Sequence, residues 1–357
     1  MSEAAIIVRK FSEIDLEDPF FDSLKTSYKE FSDWFTRKAD EPAYVSYDTS
    51  KKLQAFLYLK EEDGPITDII PPLNTKCLKV GTFKIIAHGT KLGERFVKII
   101  VDATLSLGLR VAYVTVFPEH EGLIRILETY GFVKKGIKKT PNGNEDVYIK
   151  DMQYISGDNT LDYPVVNSKG RPKWLMSIQA QFHTNLFPDS KLHTEKHLVI
   201  QDVSHTNSIH KVYVGAYRDF PNFRPGDCVV IYRCVEKDSQ KPAWFGSVAT
   251  SLCVVEETRT AKSFKTADDF VEYCKKYSVF DEATLRGLYS RHGIYAVKMS
   301  YNLAFPKRPT LRDLVKNDVV PSPFETPRPY MGLLKLDDNA FRKALELGGV
   351  CEGFVIH

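Results

Sequence analysis

The segment Ala87-His88-Gly89-Thr90-Lys91-Leu92-Gly93-Glu94 lies between a strand-like run and an amphipathic stretch. Gly89 and Gly93 let the backbone turn and bring N–H groups close to an anion. A helix that begins at once aims its positive end at the same spot. Pyrophosphate is the natural ligand of such a turn, with Lys91 adding a charge. The same strand, glycine loop and helix also occur where nothing binds, because glycine is what plain turn geometry requires. Further along, Glu119-His120-Glu121 opens a second amphipathic stretch. Acidic residues favour the first turn of a helix electrostatically, so capping is the plain reading; the other is that one of the three serves as a general base.

These residues need elements to hold them. Residues 43–48 and 53–59 read as strands joined by the turn Thr49-Ser50-Lys51, and 77–83 as a third. Leu92, Phe96, Ile99, Ile100, Ala103 and Leu107 recur at helical spacing, with Glu94, Arg95, Lys98 and Asp102 on the other face and Gly108 as the stop. Val111–Phe117 is a nearly uncharged β-branched and aromatic run, which predicts a buried strand. Glu119–Tyr130 predicts a helix stopped at Gly131. Lys134–Lys150 predicts a hairpin turning at Pro141-Asn142-Gly143.

The order strand, glycine loop, helix, strand, helix, ending in Tyr130-Gly131-Phe132, resembles the GNAT superfamily of acetyltransferases. The resemblance covers roughly residues 1–152 and is sharpest over 82–133. It implies a mixed sheet flanked by helices and an acetyl-CoA site, with acetyl passing directly to an amine. It also implies cofactor contacts at Thr82, Phe83, Ile85, His88, Gly89, Thr90, Lys91, Leu92 and Gly93. His88 stands where the family has Arg or Gln, and Lys91 stands at the first motif glycine. Leu127 stands where many members have a tyrosine that protonates the thiolate. Tyr130, one turn away, and His120 are the remaining catalytic candidates.

Residues 153–172 are polar and rich in turn formers, and are read as a linker. The remainder, 173–357, shows short strands at 174–178, 197–203, 210–217, 227–235, 244–256 and 293–301. Helices are expected at 266–276, 281–290 and 337–347, with 306–329 irregular. Lys173–Ile178, His210–Val214, Pro225-Gly226-Asp227 with its apolar run, and Gly246–Leu252 resemble a PUA-like domain of the ASCH or EVE type. That implies a β-barrel with helical insertions and RNA or modified bases as partners. Lys211, Tyr213, Tyr217, Arg218, Trp244, Lys307 and Arg308 are the candidate contacts. The G-x-K-x-x-E-x-R motif of ASCH domains is not reproduced. Asp202–Lys211 is a polar, histidine-bearing stretch suited to a recognition loop or a self-capped turn network.

Composition limits the alternatives. The chain has 357 residues, 43% hydrophobic and 27% charged, enough to build cores, and its length suggests two domains. Net charge is +3, with 22 basic and 22 acidic residues up to residue 150. Nucleic acid held by bulk charge is excluded, so any such binding needs a pocket and placed residues. No run approaches the roughly 18 apolar residues of a membrane helix, and the first 30 residues lack a signal-like core. Six cysteines without CxxC spacing point to reduced thiols and a cytoplasmic setting. His183, His193, His197, His205 and His210 cluster in sequence without thiolates nearby, so no metal is expected.

The expected protein is therefore α+β, a GNAT-like domain over 1–152 and a PUA-like domain over 173–357. It is an N-acetyltransferase whose second domain selects an RNA, such as a tRNA, or a nucleotide-bearing partner. Two alternatives stay open. One is an RNA-binding or regulatory protein that has lost catalysis, marked by Lys91 and Leu127. The other is an acetyltransferase for a protein or small amine with a scaffold second domain.

Overall fold

The computed structural model describes residues 6–86, 91–188, 208–322 and 332–357. Their contacts divide the chain into two compact units, one ending at Ser156 and the other beginning at Gly157. Among the described residues no helix is long and apolar enough to cross a membrane.

The first unit runs β1 (Ile6–Lys10), α1 (Asp22–Ser27), α2 (Phe31–Arg37), β2 (Pro42–Tyr47), β3 (Leu53–Glu62), β4 (Cys77–Ile85), α3 (Leu92–Ser106), β5 (Val111–Val116), α4 (Glu121–Thr129), β6 (Val133–Thr140) and β7 (Gly143–Asp151). The strands form one sheet in the order β1-β2-β3-β4-β5-β7-β6, antiparallel throughout except for β4 beside β5. Helix α3 follows its apolar spacing and buries Leu92, Phe96, Val97, Ile100 and Val101. Each such side chain contributes about 1.5–3 kcal/mol when removed from water. Gly108 ends it with φ +66°, a left-handed conformation that glycine adopts freely.

The ladder register sorts the two faces of this sheet. Phe56 pairs with Lys84, whose ammonium donates to the carbonyl of Phe20 just before α1. Leu57 pairs with Phe83, which packs on Phe96 of α3 at 5.7 Å between ring centroids. The α1–α2 face is strongly aromatic, with Phe11, Phe21, Phe31, Phe35, Phe56 and Tyr58 in one cluster. Two expectations change here. Glu94, Arg95 and Lys98 are buried rather than solvated, and Lys98 pairs with Asp102 one turn along the helix. The N-terminal helices α1 and α2 were not predicted at all.

The second unit runs β8 (Val166–Asn167), β9 (Lys173–Ile178), α5 (Ala180–Leu186), β10 (His210–Gly215), β11 (Cys228–Arg233), α6 (Ala243–Gly246), β12 (Val248–Thr260), α7 (Ala267–Lys275), α8 (Glu282–Tyr289), β13 (Tyr295–Ala304), α9 (Leu311–Lys316), β14 (Leu333–Leu336), α10 (Asp338–Gly348) and β15 (Val355–Ile356). Its main sheet has the order β10-β13-β12-β11-β9-β14, and β8 pairs with β15. The α+β class is found, but among the described residues this sheet does not close into a barrel. β10 bonds only β13 and β14 bonds only β9, which leaves them at opposite edges. Two bulges in β12 coil the sheet instead.

Several boundaries also shift. Much of the stretch read as a linker is folded into this unit, with Tyr163, Val165 and Val166 buried and β8 paired. Trp244 sits in the one-turn helix α6, because Pro242 starts a helical turn and the strand begins only at Val248. Helix α9 lies within the segment read as irregular, capped by Thr310 with Asp313 in a reciprocal capping box. The strand expected at 197–203 lies outside the described residues. Cys77, Cys228, Cys253 and Cys274 are buried, and all six cysteines are free thiols.

Candidate functional site

A cavity of the first unit opens between β4 and β5. The two strands pair only over Leu78–Ala112, Lys79–Tyr113 and Val80–Val114, and then part. They part at a bulge: Tyr58 pairs with Thr82 and Leu59 with Val80, which leaves Gly81 extra on β4. A bulge bends its strand and re-aims the residues that follow. Glycine is required at this position, since a Cβ there would lie 2.6 Å from Cδ1 of the Tyr58 ring. The resulting cavity is about 310 Å³. Thr82 and Phe83 line one wall and Val114, Thr115 and Val116 the other.

The far side of the cavity is aromatic and charged. Tyr28, which follows α1, and Phe31 and Trp34 of α2 line it, as do Phe117, His120 and Glu145. The Tyr28 hydroxyl donates to Oε1 of Glu145 at 2.5 Å, and its ring lies against Phe117 at 5.3 Å. Burial, then the hydrogen bond and charge of Glu145, push the Tyr28 hydroxyl far above the ordinary tyrosine value. Tyr28 therefore stays protonated and donates to the carboxylate. Glu30, also lining the cavity, accepts two hydrogen bonds from Asn142 Nδ2, at 3.0 and 3.1 Å.

The residues expected from sequence are placed unevenly. Thr82, Phe83 and His120 line the cavity. His120 occupies the N-cap position of α4, where its carbonyl accepts from the backbone N–H of Leu123 and Ile124 but its ring makes no capping bond. Tyr130 is buried at the C-terminal end of α4 and is not among the lining residues. Leu127 is fully buried. Lys91 sits at the N-cap of α3, followed by buried Leu92. A Cβ on Gly93 would meet Ile126 Cδ1 at 2.5 Å and Ile85 Cδ1 at 3.7 Å. Gly93 is thus required for the close approach of α3 and α4, whatever it does for an anion. His88, Gly89 and Thr90 lie outside the described residues.

Tyr28, Trp34 and Glu145 were missed by sequence reasoning. The signal was present: Phe21, Leu24, Tyr28, Phe31 and Phe35 recur at helical spacing. Glu145 carried its own sign, an acidic residue on the inward face of the predicted hairpin, two positions before buried Val147.

In the second unit the expected contact residues turn mostly inward. Lys211 is fully buried, with its ammonium 5.6 Å from the Tyr301 ring and 6.0 Å from that of Phe187, so it belongs to the core rather than to a phosphate-binding surface. Tyr213 and Tyr217 stack on each other at 5.8 Å, and Tyr217 donates to the carbonyl of Ser177 at 2.5 Å. Their faces are therefore engaged internally. Trp244 is half-buried, and Arg308 is half-buried with Nε and Nη1 inside the protein. Arg218 and Lys307 are exposed. Among the histidines, His210 pairs with Glu256 at 2.5 Å, and His183 is wholly buried with Nε2 2.8 Å from Oγ1 of Thr250. His193, His197 and His205 lie outside the described residues. No metal-ligating cluster occurs among the described residues.

No family model matches the chain, and no curated protein matches it. Among solved structures, it is similar to a GNAT family acetyltransferase from Elizabethkingia anophelis with acetyl-CoA bound, at 10% identity and TM-score 0.31, over 42% of this chain and 99% of that one. It is also similar to Arabidopsis thaliana NAA60 in complex with a bisubstrate analogue, at 15% identity and TM-score 0.29, over 43% and 99%. A third is an ASCH protein variant from Zymomonas mobilis, at 12% identity and TM-score 0.32, over 50% and 96%. At such values any reading of function rests on this chain's own residues.

Proposed function

We propose that the first unit is an acetyl-CoA-dependent N-acetyltransferase that passes acetyl directly to an amine. The observation that carries this reading is the parting of β4 from β5 at the Gly81 bulge, which opens a lined cavity beside an unpaired strand edge. The cofactor fits this chemistry. Beyond Val80 no ladder joins β4 to β5. The Ile86 N–H donates to the Gln54 carbonyl on the β3 side, so by alternation Phe83 and Ile85 turn their backbone groups to the open edge. These would hold an extended amide-bearing arm, with Thr82 lining the cavity beside them. Lys91, Leu92 and Gly93, at the start of α3, would meet its pyrophosphate, together with His88, Gly89 and Thr90. When bound, acetyl-CoA supplies the acetyl group, its C–S bond breaking as the C–N bond to the amine forms.

Tyr28 and Glu145 supply the proton handling. The Tyr28 oxygen accepts from the amine N–H while its own proton moves to Glu145, so no free phenolate forms. The same pair can return the proton to the leaving sulfur. The aromatic wall of Phe31 and Trp34 excludes water from the acceptor side. His120 remains a candidate at the cavity edge, whereas Tyr130, buried away from the cavity, is not given a role.

Acetyl-CoA at a hundredfold above its Kd should stabilise the protein by about 2.7 kcal/mol and raise its melting temperature accordingly. Differential scanning fluorimetry reads this directly. A flat response at millimolar acetyl-CoA removes the enzyme reading and favours a protein without catalysis.

For the second unit, the reading is that it selects an RNA or nucleotide-bearing partner, with Arg218 and Lys307 as its exposed basic side chains. Binding of the full chain to a tRNA pool should weaken steeply between 50 and 200 mM salt, as phosphate contacts do. A flat salt response, or no binding, leaves the second unit as a scaffold.

A further inference from the structure

Three lysines stand together on the α1–α2 face of the first sheet, on the acceptor side of the cavity. Lys60 of β3 lies opposite Lys79 of β4, Lys79 lies opposite Tyr113 of β5, and Lys138 of β6 lies opposite Glu145 of β7. All three lysines line the cavity. Glu62 is the carboxylate that serves two of them, 3.4 Å from Lys60 and 3.2 Å from Lys79, while also accepting from the Tyr113 hydroxyl at 2.7 Å. Among the described residues Lys138 has no ion pair.

Like charges directly opposite each other on a sheet destabilise it, and a cation shielded from water needs a counter-charge. The Lys79 side chain is only 15% exposed. Burial, and then the like charge of Lys138, pull its ammonium below the ordinary lysine value. Two carboxylates, Glu62 and Glu145, against these three lysines leave this wall with one surplus positive charge facing the cavity. An anion placed there would relieve that surplus, and the cavity volume of about 310 Å³ suits a small molecule.

We propose that this wall is an anion subsite, so that the acceptor is a small amine also bearing a phosphate or carboxylate, gripped by Lys60, Lys79 and Lys138 while its amine faces Tyr28 and Glu145. The fate of the amine rests on the acetyl-transfer reading above; the binding of the anion does not.

The test is calorimetric titration of the full chain with inorganic phosphate and, separately, with acetate. Saturable phosphate binding is expected, weakened about tenfold in Lys138→Met and at least as much in Lys79→Met, the loss typical of one charge-assisted contact. Lys138→Met is the safer variant, because its lysine makes no ion pair that folding needs. Phosphate binding alone assigns the phosphate-bearing class. Acetate binding of equal strength and equal lysine dependence assigns the carboxylate class. Binding unchanged in both variants overturns the subsite, as does failure of both anions to bind. Lysine-dependent capture of an RNA oligomer without binding of either free anion overturns the small acceptor in favour of a polynucleotide. Lysine-dependent anion binding alongside a flat acetyl-CoA melting response keeps the subsite and removes acetyl transfer.

Discussion

Tyr28→Phe is expected to lower kcat for acetyl transfer by about 10²–10³, the usual worth of a positioned proton-transfer group. The substitution removes the hydroxyl that donates to Glu145 but leaves the ring against Phe117. Glu145→Gln should cost a similar factor, since an amide cannot take up the proton. The double variant should cost little more than either single one, because the two residues act as a unit. Leaving the mostly buried Glu145 without its donor also costs about 1–3 kcal/mol of stability. The melting shift with acetyl-CoA checks that each variant is folded and binds cofactor.

The pH profile separates the relay from a simpler base. Burial and Glu145 hold the Tyr28 hydroxyl protonated well past its ordinary value. Activity should therefore show no inflection from Tyr28 ionisation up to about pH 10, the normal tyrosine value. An alkaline limb present in the wild type and absent in Tyr28→Phe would mean that the phenolate itself is the base. A kcat within threefold of wild type for Tyr28→Phe would remove the pair from the mechanism.

The frame of this cavity was legible in the sequence, because β4, α3, β5 and α4 each declare themselves by period and by a glycine stop. The bulge was not. Gly81 looks like any strand glycine until Tyr58, 23 positions earlier in the chain, is known to lie against it. Gly93 misled in the opposite direction: a loop glycine was read for its backbone reach, while its missing Cβ also makes room for Ile126. The acceptor wall was missed although its apolar residues keep helical spacing, because the chain is extended at Tyr28 and splits that run into helices of only six and seven residues. In the second unit, Lys211 shows the limit of reading basic residues as surface. Its neighbours Val212 and Val214 alternate with it along β10, yet both faces of that strand are covered, Lys211 by Phe187 and Tyr301 and the valines by the cluster around Phe270.

Acidification should destabilise the second unit through His183, by about 1.4 kcal/mol per pH unit below 6.5. The imidazole is wholly buried, and Nε2 lies 2.8 Å from Thr250 Oγ1, which itself donates to the carbonyl of Ile231 at 3.3 Å. That assigns the Nε2–H tautomer and leaves Nδ1 as a bare acceptor without a partner. A second proton would have to sit on Nδ1, buried and near the guanidinium groups of Arg233 and Arg308. Burial first, and then those two charges, hold the folded value at about 3 against the ordinary 6.5. Between these values the unfolded chain binds one proton more than the folded one, so stability falls as pH falls and levels off near pH 3. His183→Gln keeps a donor toward Thr250 and cannot titrate. It should cost stability at pH 7 through poorer packing around Phe187, but its deficit relative to wild type should shrink by about 2 kcal/mol between pH 6.5 and 5. Amide hydrogen exchange along β9 and β11 reads the second unit alone. Equal acid slopes for wild type and variant would mean that His183 takes its proton while folded, through movement of Arg233 or Arg308 away from the ring.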